Sequence, residues 1–109
     1  MTYRVILSPH ARQEMYEDAI WWGDHRDSAQ AAHWLVGFEK ALATLAENPE
    51  KHPPAPESDR YSIDLRQMLY GLGKRPTHRA VFQVLGEEVF IHGIRHLARK
   101  DLKIDALEN

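Results

Sequence analysis

Residues 78–99, HRAVFQVLGEEVFIHGIRHLAR, constrain the fold more than any other stretch. Two runs rich in β-branched and aromatic residues flank Gly86-Glu87. Gly followed by another residue is the pair a two-residue type II′ hairpin turn prefers, because glycine takes positive φ without a Cβ penalty. With the turn there, Leu85 lies opposite Glu88, Phe82 opposite Ile91 and His78 opposite Arg95. Strand alternation then puts Ala80, Phe82, Val84, Val89, Ile91 and Gly93 on one apolar face, which should meet a core. The other face carries Arg79, Val81, Gln83, Phe90, His92, Ile94 and His96. Its cationic and titratable groups gather at the end away from the turn, where Arg95 and Arg99 also fall. That end is where a functional surface is expected.

The remaining chain supplies what such a hairpin needs. Residues 3–8, YRVILS, read as a short strand. Ser8-Pro9 then starts a helix, with Ser as N-cap and Pro at the first helical position. Ala11, Met15, Ala19 and Trp22 recur at helical spacing, and Gly23 marks the end or the start of unwinding. Asp27 or Ser28 can cap a second helix reaching about Glu47, whose stripe is Ala31, Leu35, Phe38, Leu42 and Leu45, widened by Trp34 and Ala41. Two helices with a short link form an antiparallel helical hairpin whose apolar side needs a sheet to cover. Residues 48–60 hold four prolines, which argue against helix and central strand and predict an extended surface connector. Residues 61–70 suit a strand, clearest over Tyr61–Leu65. The loop 71–77 carries Lys74-Arg75, and the tail 97–109 could add one or two helical turns around Leu97, Ile104 and Leu107. The order β-α-α-β-β-β predicts a single α+β domain over 1–109, with the helical hairpin packed on one face of a small, mainly antiparallel sheet.

At 109 residues the chain can bury one core without staples. It has no cysteine, so it has no disulfide framework and no thiolate chemistry. Its N-terminus lacks the apolar run of a signal peptide and no stretch approaches a membrane span, so a cytoplasmic protein without membrane contact is expected. The net charge of −2 argues against a general nucleic-acid binder. The distribution is uneven, however. Residues 1–59 hold 5 Lys/Arg against 10 Asp/Glu, while residues 60–103 hold 9 against 4. A cationic half on an acidic body suggests an anionic partner for that half. The seven histidines show neither HxxxH nor HExxH spacing, so no metal site and no cofactor are expected.

The segments His78-Arg79-Ala80-Val81-Phe82-Gln83-Val84 and Ile94-Arg95-His96-Leu97-Ala98-Arg99, with Leu65-Arg66 before them, resemble the ordered motifs of the RelE/ParE toxin superfamily of bacterial type II toxin–antitoxin, or plasmid-stabilisation, modules. The likeness runs over about residues 3–102, and the long, aromatic-rich helical hairpin is similar to the ParE-like branch. It implies a toxin neutralised by a small acidic antitoxin in a possible hetero-oligomer. RelE-like members are ribosome-dependent mRNA endonucleases, and ParE-like members poison DNA gyrase.

RNA cleavage of the RelE type needs a base for the ribose 2′-OH, an acid for the leaving oxygen and cations for the phosphorane. By resemblance Arg79, Arg99 and His96 are the candidates for those catalytic roles. Against this, the strand before the hairpin offers Asp64, Gln67 and Tyr70 where RelE-like enzymes carry lysines. Leu97 and Ala98 stand where relatives place a histidine and tyrosine. The reading favoured is therefore a toxin that acts by binding, with gyrase as its target. The alternatives are a ribosome-dependent endonuclease and a degenerate toxin that binds only its antitoxin. The expected binding surface is Arg66, Lys74, Arg75, Arg79, His92, Arg95, His96, Arg99 and Lys100. The structural alternatives are an Arg79 pair with Asp64 or Glu88, a buried pair for Arg95 on the core face, and surface positions for His78 and His92. An exposed Trp21 would point to an interface with gyrase or antitoxin.

Overall fold

The computed structural model describes residues 2–98, 102–104 and 107. Strand β1 (Arg4–Leu7) leads into helix α1 (Pro9–His25) and helix α2 (Ser28–Ala43). Both helices start as their sequences dictate. Ser8 Oγ accepts from the Ala11 N–H at 3.0 Å with Pro9 at the first position, and Asp27 Oδ1 accepts from the Gln30 N–H at 2.7 Å. α1 runs through Gly23 to His25, and α2 stops at Ala43, short of Glu47, and tightens into a 3₁₀ turn at Thr44–Ala46.

The sheet order is β1-β4-β3-β2, from β2 (Leu65–Tyr70), β3 (His78–Leu85) and β4 (Glu88–His96). β1 runs parallel to β4 and the other pairs are antiparallel. Gly86 takes φ +59° in the two-residue turn, with Leu85 opposite Glu88 and Phe82 opposite Ile91 as the turn predicts. The helical hairpin covers one face. Met15, Trp34, Phe38, Leu42 and Leu45 meet Met68, Ala80, Phe82, Val89, Ile91 and Ile94 in the main core.

Beyond Phe82 the register departs from simple alternation. Val81 pairs with Gly93 and Phe82 with Ile91, so His92 is an extra residue in a β-bulge. Every later side chain of β4 changes face. His78 therefore lies opposite His96, not Arg95, and Arg95 lies opposite Arg79. Ile94, expected on the mixed face, is 1% exposed in the helix-side core. β1 ends at Leu7 opposite Ile91, and groups at the start of α1 replace it beyond that point. The Ser8 N–H bonds the Ile91 carbonyl at 3.1 Å, and Glu14 Oε1 accepts the Ile94 N–H at 3.0 Å.

The proline-rich segment is not a plain extended spacer. Pro49 opens a 3₁₀ turn (Pro49–Lys51), and Pro56, with φ −54°, precedes helix α3 (Glu57–Tyr61). Proline fixes the φ that a first helical turn requires and loses no intrahelical bond there, so prolines at helix starts promote what they would break in an interior. Tyr61 consequently belongs to α3, and the strand occupies 65–70, the less regular half of the segment read as β. α3 and Leu102, Ile104 and Leu107 build a second, smaller core with Leu65 and Val81 on the sheet face away from the hairpin. No helix is seen at 102–104.

Gly37 marks the closest approach of α2 to the sheet. A Cβ there would overlap the Tyr70 hydroxyl, which donates to the Trp34 carbonyl at 3.0 Å while its ring stacks on Phe38. Gly→Ala in a helix interior ordinarily stabilises by about 1 kcal/mol. Gly37→Ala is expected to yield no gain, because it expels a hydroxyl whose bond contributes about 1 kcal/mol. In a Tyr70→Phe background the same change should recover the full gain in a urea titration.

Candidate functional site

The expected functional end of the hairpin is built from four elements. The loop 71–77 joins β2 to β3 there, so exposed Lys74 and Arg75 lie beside the start of β3 and the end of β4. The last turns of α1 face them. Between them opens a cleft of about 660 Å³ lined by Glu17, Asp18, Trp21, Trp22, Arg26, Thr77, His78, His96 and Ala98.

His78 is the floor of this cleft and is 4% exposed, not a surface strand residue. Its Nε2 lies 3.2 Å from Asp18 Oδ2 and its Nδ1 lies 2.8 Å from Thr77 Oγ1. Trp34 and His96 stand edge-on to it, with ring centres at 5.0 and 5.1 Å. Both ring nitrogens are thus engaged, and His78 bridges Asp18 on α1 and Thr77 just before β3. His96 is exposed, and its Nδ1 accepts the Ala98 N–H at 3.1 Å. In the neutral ring the proton therefore sits on Nε2.

The wall from α1 has a repeating plan. Residues four apart stack on one helix face. One row is Glu17, Trp21, His25, and the next is Asp18, Trp22, Arg26. His25 stacks on Trp21 at 4.4 Å, and the Arg26 guanidinium lies 5.8 Å from the Trp22 ring centre. Trp21 remains 50% exposed, the condition under which it was expected to mark an interface.

Arg79 has a different setting. It is 5% exposed and forms a two-pronged ion pair with Glu57, Nη1 to Oε1 at 2.8 Å and Nη2 to Oε2 at 2.5 Å. Gln67 Oε1 lies 3.2 Å from the same Nη1, and the Leu102 N–H donates to Glu57 Oε2 at 2.6 Å. The partner is thus Glu57 from α3, not Asp64 or Glu88. Asp64 instead pairs with Arg66 at 3.3 Å, and Glu88 pairs with Arg4. Burial pushes the Glu57 carboxyl up, but the hydrogen bonds from Arg79 and Leu102 outweigh it and hold it below the ordinary carboxylate value.

The other expected site residues scatter. Arg66 holds the proline-rich segment through the Glu50 and His52 carbonyls, both at 2.8 Å. His92 faces Gln83 at 3.0 Å, and burial lowers its pKa. Arg95 lies opposite Arg79 in the ladder, off the core face. Arg99 and Lys100 lie outside the described residues. The cleft thus unites His96 and Trp21, both singled out in the sequence, with His78, expected on the surface, and Asp18, to which the sequence reading assigned no role. The Glu-Asp and Trp-Trp pairs four residues apart were the available signal. Among the described residues no group of three or more His, Asp or Glu side chains is arranged to hold a metal ion, and no helix is long and apolar enough to cross a membrane.

A second surface lies on the hairpin's outer side. Tyr16, Ala19, Ile20, Ala31, Ala32 and Leu35 line a shallow apolar groove between α1 and α2, with Ile20 64% exposed.

The fold is similar to that of a chain in the solved structure of the chromosomal ParDE TA system from P. aeruginosa. The TM-score is 0.69, with 87% of this chain and 96% of that chain covered, at 14% sequence identity. No family model matches the chain, and no curated protein does.

Proposed function

We propose that this protein is the toxin of a type II toxin–antitoxin module, of the ParE-like branch, working in the cytoplasm by binding and inhibiting DNA gyrase. The observation that carries the reading is the fold match, which spans nearly all of both chains and includes a member of a ParDE system. Two features support it further. The apolar groove between α1 and α2 suits an amphipathic helix of an antitoxin, which would seat apolar residues at helical spacing. Exposed Lys74 and Arg75 offer charge for its acidic segment. Arg79, the leading candidate for contacting a scissile phosphate, is spent on Glu57, which favours inhibition by binding over RNA cleavage.

The test is one purified preparation assayed two ways. Inhibited supercoiling with trapped gyrase–DNA cleavage complexes and intact mRNA is the expected result. Codon-positioned cuts in mRNA on programmed ribosomes would overturn the gyrase reading in favour of the endonuclease. Inactivity in both, with tight binding to a cognate antitoxin, would identify a toxin that has lost its target.

A further inference from the structure

The geometry points to a nucleotide site in the cleft between α1 and the open end of the β3–β4 hairpin, taking a guanine base stacked on Trp21. The site does not depend on the toxin reading. Its charges are mixed and segregated, with Glu17 and Asp18 one turn before the two indoles and Arg26 and His96 elsewhere on the lining. A simple anion would meet the carboxylates, and a simple cation would meet Arg26. A ligand with a planar ring, a donor-rich edge and a distant anionic group satisfies all of them.

Each part of the ligand has a counterpart. Trp21 is half exposed and is held by His25, which covers it in a stack with planes 14° apart and whose Nδ1 lies 3.0 Å from the Trp21 carbonyl oxygen. His25 is not among the lining residues, so the cleft meets a part of the indole that His25 leaves open. A base stacking there would extend an existing aromatic pile, and such stacking is independent of a metal or a hydrogen-bond code. Glu17 uses Oε1 for Gln13 at 2.9 Å, and Asp18 uses Oδ2 for His78. One oxygen of each carboxylate stays unengaged among the described residues. Guanine presents N1–H and N2–H₂ side by side on one edge, the donor pair that carboxylate oxygens accept. Adenine presents a single amino group beside an acceptor. The His96 Nε2–H and the Arg26 guanidinium supply donors for a phosphate. The volume of about 660 Å³ lies in the range that encloses a small ligand.

GMP, AMP, guanosine and a six-nucleotide single strand with one central guanine are the probes, each titrated into the full chain by calorimetry and indole fluorescence. Saturable binding of GMP is expected, at least about tenfold tighter than AMP and tighter than guanosine. Trp21→Ala should weaken GMP by about tenfold or more, the usual worth of one stacked base. Glu17→Gln should erase the GMP-over-AMP preference while retaining binding. Both positions are exposed, and unchanged circular dichroism and melting will confirm that the variants fold. Equal binding of GMP and the strand assigns the site to free nucleotide, and a strand preference of tenfold or more assigns it to single-stranded nucleic acid. No saturable binding of any probe, or binding that Trp21→Ala leaves unchanged, overturns the site.

Discussion

Arg79→Met is expected to destabilise the protein by about 3–5 kcal/mol, the cost of leaving one buried charge without its partner. Glu57 is 0% exposed and Arg79 5% exposed, so neither charge can recover water when the other is removed. Against a total stability of about 5–15 kcal/mol, this is a drop of at least about 12 °C in melting temperature. The pair Glu57→Leu/Arg79→Met should recover most of it, because two apolar groups of similar volume carry no desolvation penalty. Full recovery is not expected. The Leu102 N–H would lose its acceptor, at about 1–3 kcal/mol for a buried donor left unpaired. A single variant that melts like the wild type would show that the ion pair is dispensable. Loss of biological activity in an Arg79 variant would report unfolding before it reported chemistry, so such a variant must be read beside its melting curve.

The same pair gives stability a pH dependence of definite sign. Glu57 is held below its unfolded value near 4.5, so its contribution is complete above that pH and is lost as pH falls through the folded value. Glu14 acts in the opposite sense and in another window. Burial raises its carboxyl, so it costs stability as pH rises from about 4.5 through the higher folded value. Glu57→Gln should flatten the acid side of a stability–pH curve and leave the Glu14 limb unchanged. An acid limb as steep in the variant would assign it to other carboxylates.

The second large effect concerns the groove. Ile20→Glu should leave the fold within about 0.5 kcal/mol of the parent, since the side chain is 64% exposed and glutamate favours helix slightly more. On the proposed toxin reading, affinity for a cognate antitoxin should fall by about 100-fold, or about 2.8 kcal/mol. The change removes an apolar anchor and sets an unpaired charge against the apolar face of the proposed partner helix. Calorimetry with a cognate antitoxin of the proposed module measures this. Unchanged affinity would remove the α1–α2 groove from the interface.

The two long helices, their caps and the hairpin turn were legible in the sequence because their causes are local. Ser8-Pro9, Asp27 and Gly86 act within a few residues, and the stripe from Ala31 to Leu45 repeats at 3.6 residues along a single element. The order of those elements and the ordered motifs sufficed for the α+β architecture. Three features required the tertiary structure. The first is the extra residue at His92, one position that turns every later side chain of β4 to the other face and exchanges Arg95 with His96. The second is α3, formed where prolines argued for extension, because Pro56 stands at its start and Glu57 gains Arg79 and the Leu102 N–H as partners. The third is the cleft, where Asp18 meets His78 across 60 residues of chain. The physical reason is the same in each case. A strand's register and a buried charge's partner are chosen by which distant groups satisfy them, and local periodicity carries no information about distance in space.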